Sequence, residues 1–244
     1  MFAFLLVMRY MVATGMGSTD FDYSQRPNKF LYPKPQIVDV SNPTKSCELN
    51  DDVTDRFSTG GMLGTTPVIC GGSGVMSHEC LLYGTSQMIT MNSDRKFSSS
   101  VGLSNSMLWI IGGELMNHMS LDTTEFVTIE GSVNGPQLPE PVSAHCSVLF
   151  PGNGNVYVIG GINPPSNNST NKVWVANPSN KFTFAQGPSL NKERSSHACS
   201  TMSIGTKNII VAAGGSKQAQ PNIFEKISSV EILDPLSDQW VAGN

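Results

Sequence analysis

Val156-Tyr-Val-Ile-Gly-Gly161 is the stretch on which the fold turns: four apolar residues run straight into two glycines. The pattern suits a buried strand that ends where the backbone must enter positive φ. The same figure recurs at Pro67-Val-Ile-Cys-Gly-Gly72, Leu108-Trp-Ile-Ile-Gly-Gly113 and Ile210-Val-Ala-Ala-Gly-Gly215. A degenerate copy stands at Met11-Val-Ala-Thr-Gly-Met16. The first glycines are Gly15, Gly71, Gly112, Gly160 and Gly214, separated by 56, 41, 48 and 54 residues. Self-similarity near a 50-residue period marks a repeat architecture in which each unit is one small sheet.

The remainder of each unit agrees. A variable polar loop follows the double glycine, then a second pair of strands. The last unit reads Ser229-Val-Glu-Ile-Leu-Asp-Pro235, a turn, then Gln239-Trp240. The unit before it reads Lys172-Val-Trp-Val-Ala-Asn-Pro178, a turn, then Phe182-Thr-Phe184. Near the start, Gln36-Ile-Val-Asp-Val40 with Asn42-Pro43 gives the figure once more. Strand runs bounded by Asn, Asp, Pro and Ser predict strand-turn-strand units, and helical periodicity of useful length is absent. Gly (23) and Pro (15) outweigh what helices tolerate, whereas charged residues are only 14% of the chain, so the expected class is all-β.

The double glycine after an apolar strand, the later Asp/Asn-Pro turn and the final Trp or Phe together resemble the Kelch repeat. The resemblance runs over residues 10–244 and is strongest in the last two units. Met88 and Val133 align with the late aromatic in the earlier ones, and Met16 replaces a second glycine. The resemblance implies a Kelch-type β-propeller of about five four-stranded blades, at 11–50, 58–94, 95–141, 142–193 and 194–244, in a family that commonly closes with six. Gly71, Gly72, Gly112, Gly113, Gly160, Gly161, Gly214 and Gly215, with Gly15, are then its structural repeat glycines. Trp240 and Phe184 fill the space between sheets. Residues 1–10 read either as a signal peptide or as a truncated first strand, because Arg9 interrupts the apolar run instead of preceding it. The chain is expected to be a fragment of a larger propeller or to pair with a second copy.

A formal net charge of −4 and the lack of any Lys/Arg cluster argue against nucleic acid as a partner. No run approaches the roughly 20 apolar residues of a transmembrane helix. Five cysteines, an odd number, cannot all pair within the chain. Cys70 and Cys80 flank a glycine-rich turn and suit either a disulfide or free thiols. Asn167 and Asn168 each open an Asn-x-Ser/Thr pattern, an acceptor for glycan in a secreted protein.

Catalytic and cofactor motifs are missing: no phosphate-binding loop, no His-Glu-x-x-His and no Cys-x-x-Cys. The most suggestive constellation is Ser143-Ala-His145-Cys146 with Ser196-His197-Ala-Cys199. Aligned on the histidines, the two thiols fall on opposite sheet faces, which speaks against a shared metal site. The expectation is therefore a non-enzymatic chain with no metal and no cofactor. The resemblance places Arg95, Arg194, His145 and His197 near the mouth of a central channel, where the arginines would grip an acidic loop of a protein partner. The competing reading has them pair locally with Asp94 and Glu193. Three functions remain open. The leading one is a protein-binding propeller, including the substrate receptor of a cullin-type ubiquitin ligase whose BTB part is absent here. The second is a secreted, disulfide-containing module, and the weakest is a galactose-oxidase-like enzyme.

Overall fold

A computed structural model of the chain describes the strands Tyr10–Ala13, Gln36–Asp39 and Ser46–Glu48 together with residues 57–74, 77–104, 106–164, 168–220 and 223–243. Those first strands, β1 (Tyr10–Ala13), β2 (Gln36–Asp39) and β3 (Ser46–Glu48), form a three-stranded antiparallel sheet. Gly15, Asn167 and residues 1–9 lie outside the described residues.

Four four-stranded antiparallel sheets follow. The second sheet is β4 (Thr59–Leu63), β5 (Thr66–Cys70), β6 (Glu79–Leu82) and β7 (Met88–Thr90). The third is β8 (Ser99–Ser104), β9 (Met107–Ile111), β10 (Thr124–Thr128) and β11 (Gly131–Asn134). In the fourth, β12 (Cys146–Leu149) and β13 (Val156–Ile159) are followed by a small hairpin, β14 (Ile162–Asn163) with β15 (Asn168–Ser169). That sheet is completed by β16 (Val173–Asn177) and β17 (Thr183–Gln186). The fifth repeats this plan with β18 (Ala198–Ile204), β19 (Lys207–Ala213), a hairpin of β20 (Ser216–Gln220) and β21 (Ile223–Lys226), then β22 (Val230–Asp234) and β23 (Gln239–Gly243). The one helical element among the described residues is a 3-10 turn at Pro178–Asn180, capped by the Asn177 side chain. The chain is all-β, as expected.

The double-glycine strands are apolar without alternation because both of their faces are covered. Leu108 and Ile110 of β9 pack against Val68, Cys70, Leu82 and Ile89 of the second sheet. Trp109 and Ile111 of the same strand face the other way, onto Val156, Val158 and Ala176 of the fourth. Tyr157 and Ile159 of β13 then meet Ile210, Ala212, Leu233 and Trp240 of the fifth. Three successive sheets thus share alternate residues of one strand between two interfaces. Trp240 is buried there, and its indole N–H donates to the Pro188 carbonyl at 2.9 Å. Phe184 joins Trp109 with ring centroids 5.7 Å apart. Met88 and Val133, expected at the aromatic's place, are exposed instead, and Ile89 is the buried residue of β7.

Neighbouring sheets are also joined through the main chain. The first strands lie side by side, β8 against β4 and β12, and β12 against β18. Before each of them one residue has positive φ: Phe57 (63°), Phe97 (54°), Ala144 (51°) and Ser196 (51°). Each N–H in this series donates to the carbonyl of the one before, Phe97 to Phe57 at 3.0 Å, Ala144 to Phe97 at 2.9 Å and Ser196 to Ala144 at 2.8 Å. The second glycine of the first three pairs adds a bond onward to the next sheet: Gly72 to Arg95, Gly113 to Val142 and Gly161 to Arg194, at 2.8–2.9 Å. Non-glycine residues in the left-handed region cost on the order of 1 kcal/mol or more, so these hydrogen bonds offset a local strain.

Candidate functional site

The double glycines position the candidate face. Gly160 has φ of 59°, and a Cβ there would come 2.5 Å from the Arg194 carbonyl and 2.9 Å from His197 Cε1. The first glycine is therefore needed for its conformation and for the closeness of the next sheet. His197 leans on Gly160 and, through its own Cβ, on Gly215; His145 stands in the same way between Gly112 and Gly161.

Both histidines are buried, at 6% and 7% exposure. His145 Nε2 lies 2.7 Å from Ser99 Oγ, which is itself 2.6 Å from Ser147 Oγ. Among the described residues, neither ring nitrogen of His197 has a hydrogen-bond partner. Desolvation pushes both imidazoles down to about 3, helped by the neighbouring His197 at His145 and by the Arg194 charge at His197. Neutral, enclosed rings of this kind hold sheets together and do not present a charge to solvent.

The arginines differ from the expectation that they grip a partner. Among the described residues, Arg95 and Arg194 are the largest buried cations, at 1% and 0% exposure. Arg95 donates from Nε and Nη2 to Glu125 Oε1 at 3.0 and 2.9 Å, and from Nη1 to the carbonyls of Gly112 and Thr123, both at 2.9 Å. Arg194 donates to Glu231 Oε1 at 2.7 Å and to the carbonyls of Gly214 and Ser229 at 2.9 and 3.1 Å. Burial lowers the Arg95 pKa from its ordinary value, a shift that the adjoining Glu125 carboxylate opposes. The partners are not the expected Asp94 and Glu193. Asp94 instead accepts from Ser77 Oγ at 2.6 Å, and Glu193 pairs with Lys217 at 3.1 Å. The physical reason is that a carboxylate in the middle of β10 or β22 would be buried alone without a cation beside it.

The thiols agree with the expectation at Cys70 and Cys80, where one of its two alternatives is met, and go beyond it at Cys146 and Cys199. Cys70 and Cys80 form a disulfide between adjacent strands β5 and β6. Cys146 and Cys199 form a second one. That they stand on opposite faces of their own sheets is what brings them together, because the back of one sheet meets the front of the next.

Four large apolar residues are exposed on this end of the molecule, among polar and charged ones. Met116 and Met119 lie on the loop after Gly113, and Ile223 and Phe224 on the β20–β21 hairpin after Gly215. None of these four residues belongs to a motif; their signal in the sequence is apolar residues within the segments that follow the double glycines. The β20–β21 hairpin leans on the preceding one, with the Gln218 N–H 3.3 Å from Ser169 Oγ. Beside it opens a cleft of about 530 Å³ lined by Lys192, Glu193, Lys217, Glu225 and Lys226. Asn168 sits exposed on β15. Among the described residues, no three His, Cys, Asp or Glu side chains gather as a metal site would require, and no helix is long and apolar enough to cross a membrane. Compared with known proteins, the chain matches no family model and no curated protein.

Proposed function

We propose that the chain is a non-catalytic, Kelch-type β-propeller module that recognises a protein partner through the loops following its double glycines. The observation that carries this reading is the division of labour at that end of the sheets. The groups expected to bind, Arg95, Arg194, His145 and His197, are buried, the arginines in ion pairs inside their own units and the histidines between sheets, whereas Met116, Met119, Ile223 and Phe224 face water. Methionine and aromatic side chains on loops held by a rigid scaffold suit adaptable recognition of an apolar patch. Successive four-stranded sheets with adjacent first strands and one repeated interface support the propeller.

A photo-crosslinking residue at Phe224, compared with one at Leu236, tests it. Leu236 lies in the turn between β22 and β23, at the opposite end of the sheet, and is 94% exposed. The expected result is one protein cross-linked from position 224 and not from 236, with the adduct lost in a Met116→Ser/Met119→Ser/Ile223→Ser variant. Equal labelling from both ends would sink the reading. The presence of two disulfides favours a second reading of the same module as extracellular, since such bonds persist in oxidising compartments. Glycan on Asn168 of the natural protein is its check.

A further inference from the structure

Neighbouring first strands meet three times at one equivalent pair of positions. Thr59, Ser99 and Cys146 each lie opposite the residue that precedes a double glycine, namely Cys70, Ile111 and Ile159. Ser100, Ser147 and Cys199 each lie opposite the residue one place earlier, Ile110, Val158 and Ala212. Between the second and third sheets the join is Thr59 Oγ1 to Ser100 Oγ at 2.8 Å. Between the third and fourth it is Ser99 Oγ to Ser147 Oγ at 2.6 Å. Between the fourth and fifth it is the Cys146–Cys199 disulfide. Two hydroxyl pairs therefore hold the same junction by hydrogen bonding alone, and the stacking of sheets does not require a covalent bond there.

The surroundings of the third junction point further. His145 and His197 are equivalent residues, each immediately before its β-strand, and His145 Nε2 is hydrogen-bonded to Ser99 at 2.7 Å. Cys146 occupies the place of Ser99 one sheet later. Its sulfur is committed to Cys199, and the buried His197 ring is left with neither nitrogen partnered among the described residues. A buried polar group without a partner costs free energy, and a thiol at Cys146 would supply the missing one. The two disulfides also differ in access: Cys70 and Cys80 are fully buried, whereas Cys146 and Cys199 are partly exposed.

We propose that Cys146–Cys199 is a thiol–disulfide exchange site, in which His197 is the hydrogen-bond partner of Cys146 once the pair is reduced. A dithiol is the co-reactant. One of its thiolates attacks Cys199 Sγ, the Cys146–Cys199 bond breaks, and Cys146 leaves as a thiolate that accepts a hydrogen bond from the His197 ring. The second thiolate of the reductant attacks its own sulfur in the mixed disulfide and releases Cys199. Two electrons pass from the dithiol to the cystine, and the two protons of the dithiol end on Cys146 and Cys199. An oxidised dithiol runs the sequence backwards. Burial holds His197 neutral, so its ring offers one N–H and one lone pair to the sulfur.

The folded protein, equilibrated in graded ratios of reduced to oxidised dithiothreitol at pH 7 and alkylated with iodoacetamide, tests the exchange. Peptide mapping is expected to show Cys146 and Cys199 alkylated at ratios where Cys70–Cys80 is still linked and the near-ultraviolet circular dichroism is unchanged. Opening of both disulfides together, with loss of that signal, would overturn the proposal. In the reduced protein, His197→Phe is expected to slow alkylation of Cys146 by about ten-fold at pH 7 and to leave Cys199 nearly unaffected. An equal rate in the variant removes His197 from the site. Cys146→Ser/Cys199→Ser, which recreates the Ser99–Ser147 pair, guards against a folding defect. It is expected to stay folded, and its unfolding would assign the disulfide a purely structural role.

Discussion

Arg194 Nη2 lies 2.7 Å from Glu231 Oε1 with both side chains shut off from water. Arg95 and Glu125 repeat the pair in the third sheet at 2.9 Å. In the fourth sheet the same two places hold Val142 and Trp174: Val142 accepts from Gly113 as the arginines accept from Gly72 and Gly161, and Trp174 lies opposite Val158 as Glu125 lies opposite Ile110. Both members change together, as expected when an ion pair that loses one partner leaves a buried charge behind. The single variant Glu231→Ala is predicted to cost about 3–5 kcal/mol of stability. The double variant Arg194→Val/Glu231→Trp is predicted to recover most of that loss. Urea unfolding of the single and double variants measures the coupling, and additive losses would contradict the account.

The histidines give the chain a particular sensitivity to acid. His145 and His197 titrate at about 3 in the folded protein, well below the ordinary 6.5. The unfolded chain therefore binds more protons between these limits. Their contribution to stability is complete above pH 6.5, declines as pH falls below it, and is fully lost once pH passes through about 3. Each ring is predicted to contribute a slope of up to about 1.4 kcal/mol per pH unit inside that window. Urea midpoints at about pH 7, 6 and 5, where few carboxylates titrate, are the measurement. His145→Asn is expected to flatten the profile, and an unchanged slope would rule out His145 as a source.

Two glycines with nearly the same φ separate conformational strain from crowding. A Cβ added at Gly160 (59°) would meet backbone at 2.5 Å, whereas one added at Gly205 (62°) would meet nothing within 4 Å. Alanine at Gly205 is predicted to cost roughly 1–2 kcal/mol, from the left-handed conformation alone. At Gly160 the loss should be larger by several kcal/mol, since the fifth sheet must move away. Comparable melting temperatures for the two variants would refute the crowding.

The exposed loop residues are predicted to be silent in stability. Ile223→Ser and Phe224→Ser should shift the unfolding free energy by no more than about 0.5 kcal/mol, because both residues are exposed and neither belongs to a buried cluster. A loss of several kcal/mol, read by urea unfolding, would mean that the hairpin is structural and not a recognition element.

Much of the architecture is legible in the sequence because it rests on short-range pattern. The apolar runs before Gly71, Gly112, Gly160 and Gly214 form β5, β9, β13 and β19, and the Val-Glu-Ile-Leu and Val-Trp-Val runs form β22 and β16. Where structure and expectation part, the cause is a contact between residues far apart in the chain or the register of a strand. The faces of a single sheet separate Cys146 from Cys199, although their meeting requires two sheets. Glu125 and Glu231 lie 30 and 37 residues from their arginines, beyond any local pairing rule. Their signal is present nonetheless, as a glutamate in the second place of both strands, followed by two apolar residues. Distance from the glycines points to Met88 and Val133, but the side that a strand turns inward follows its register, which the loops between β5 and β7 and between β9 and β11 reset.

The series Phe57, Phe97, Ala144 and Ser196 has a consequence for how such a chain changes over time. An aromatic, a methyl and a hydroxyl all serve the same link, because the bond is made by amide and carbonyl groups that every one of them carries. At this link neighbouring units meet without a side-chain code, unlike the hydroxyl and cystine joins beside it. The four positions are thereby free to change their side chains while the chain of amide-to-carbonyl bonds across the sheets persists.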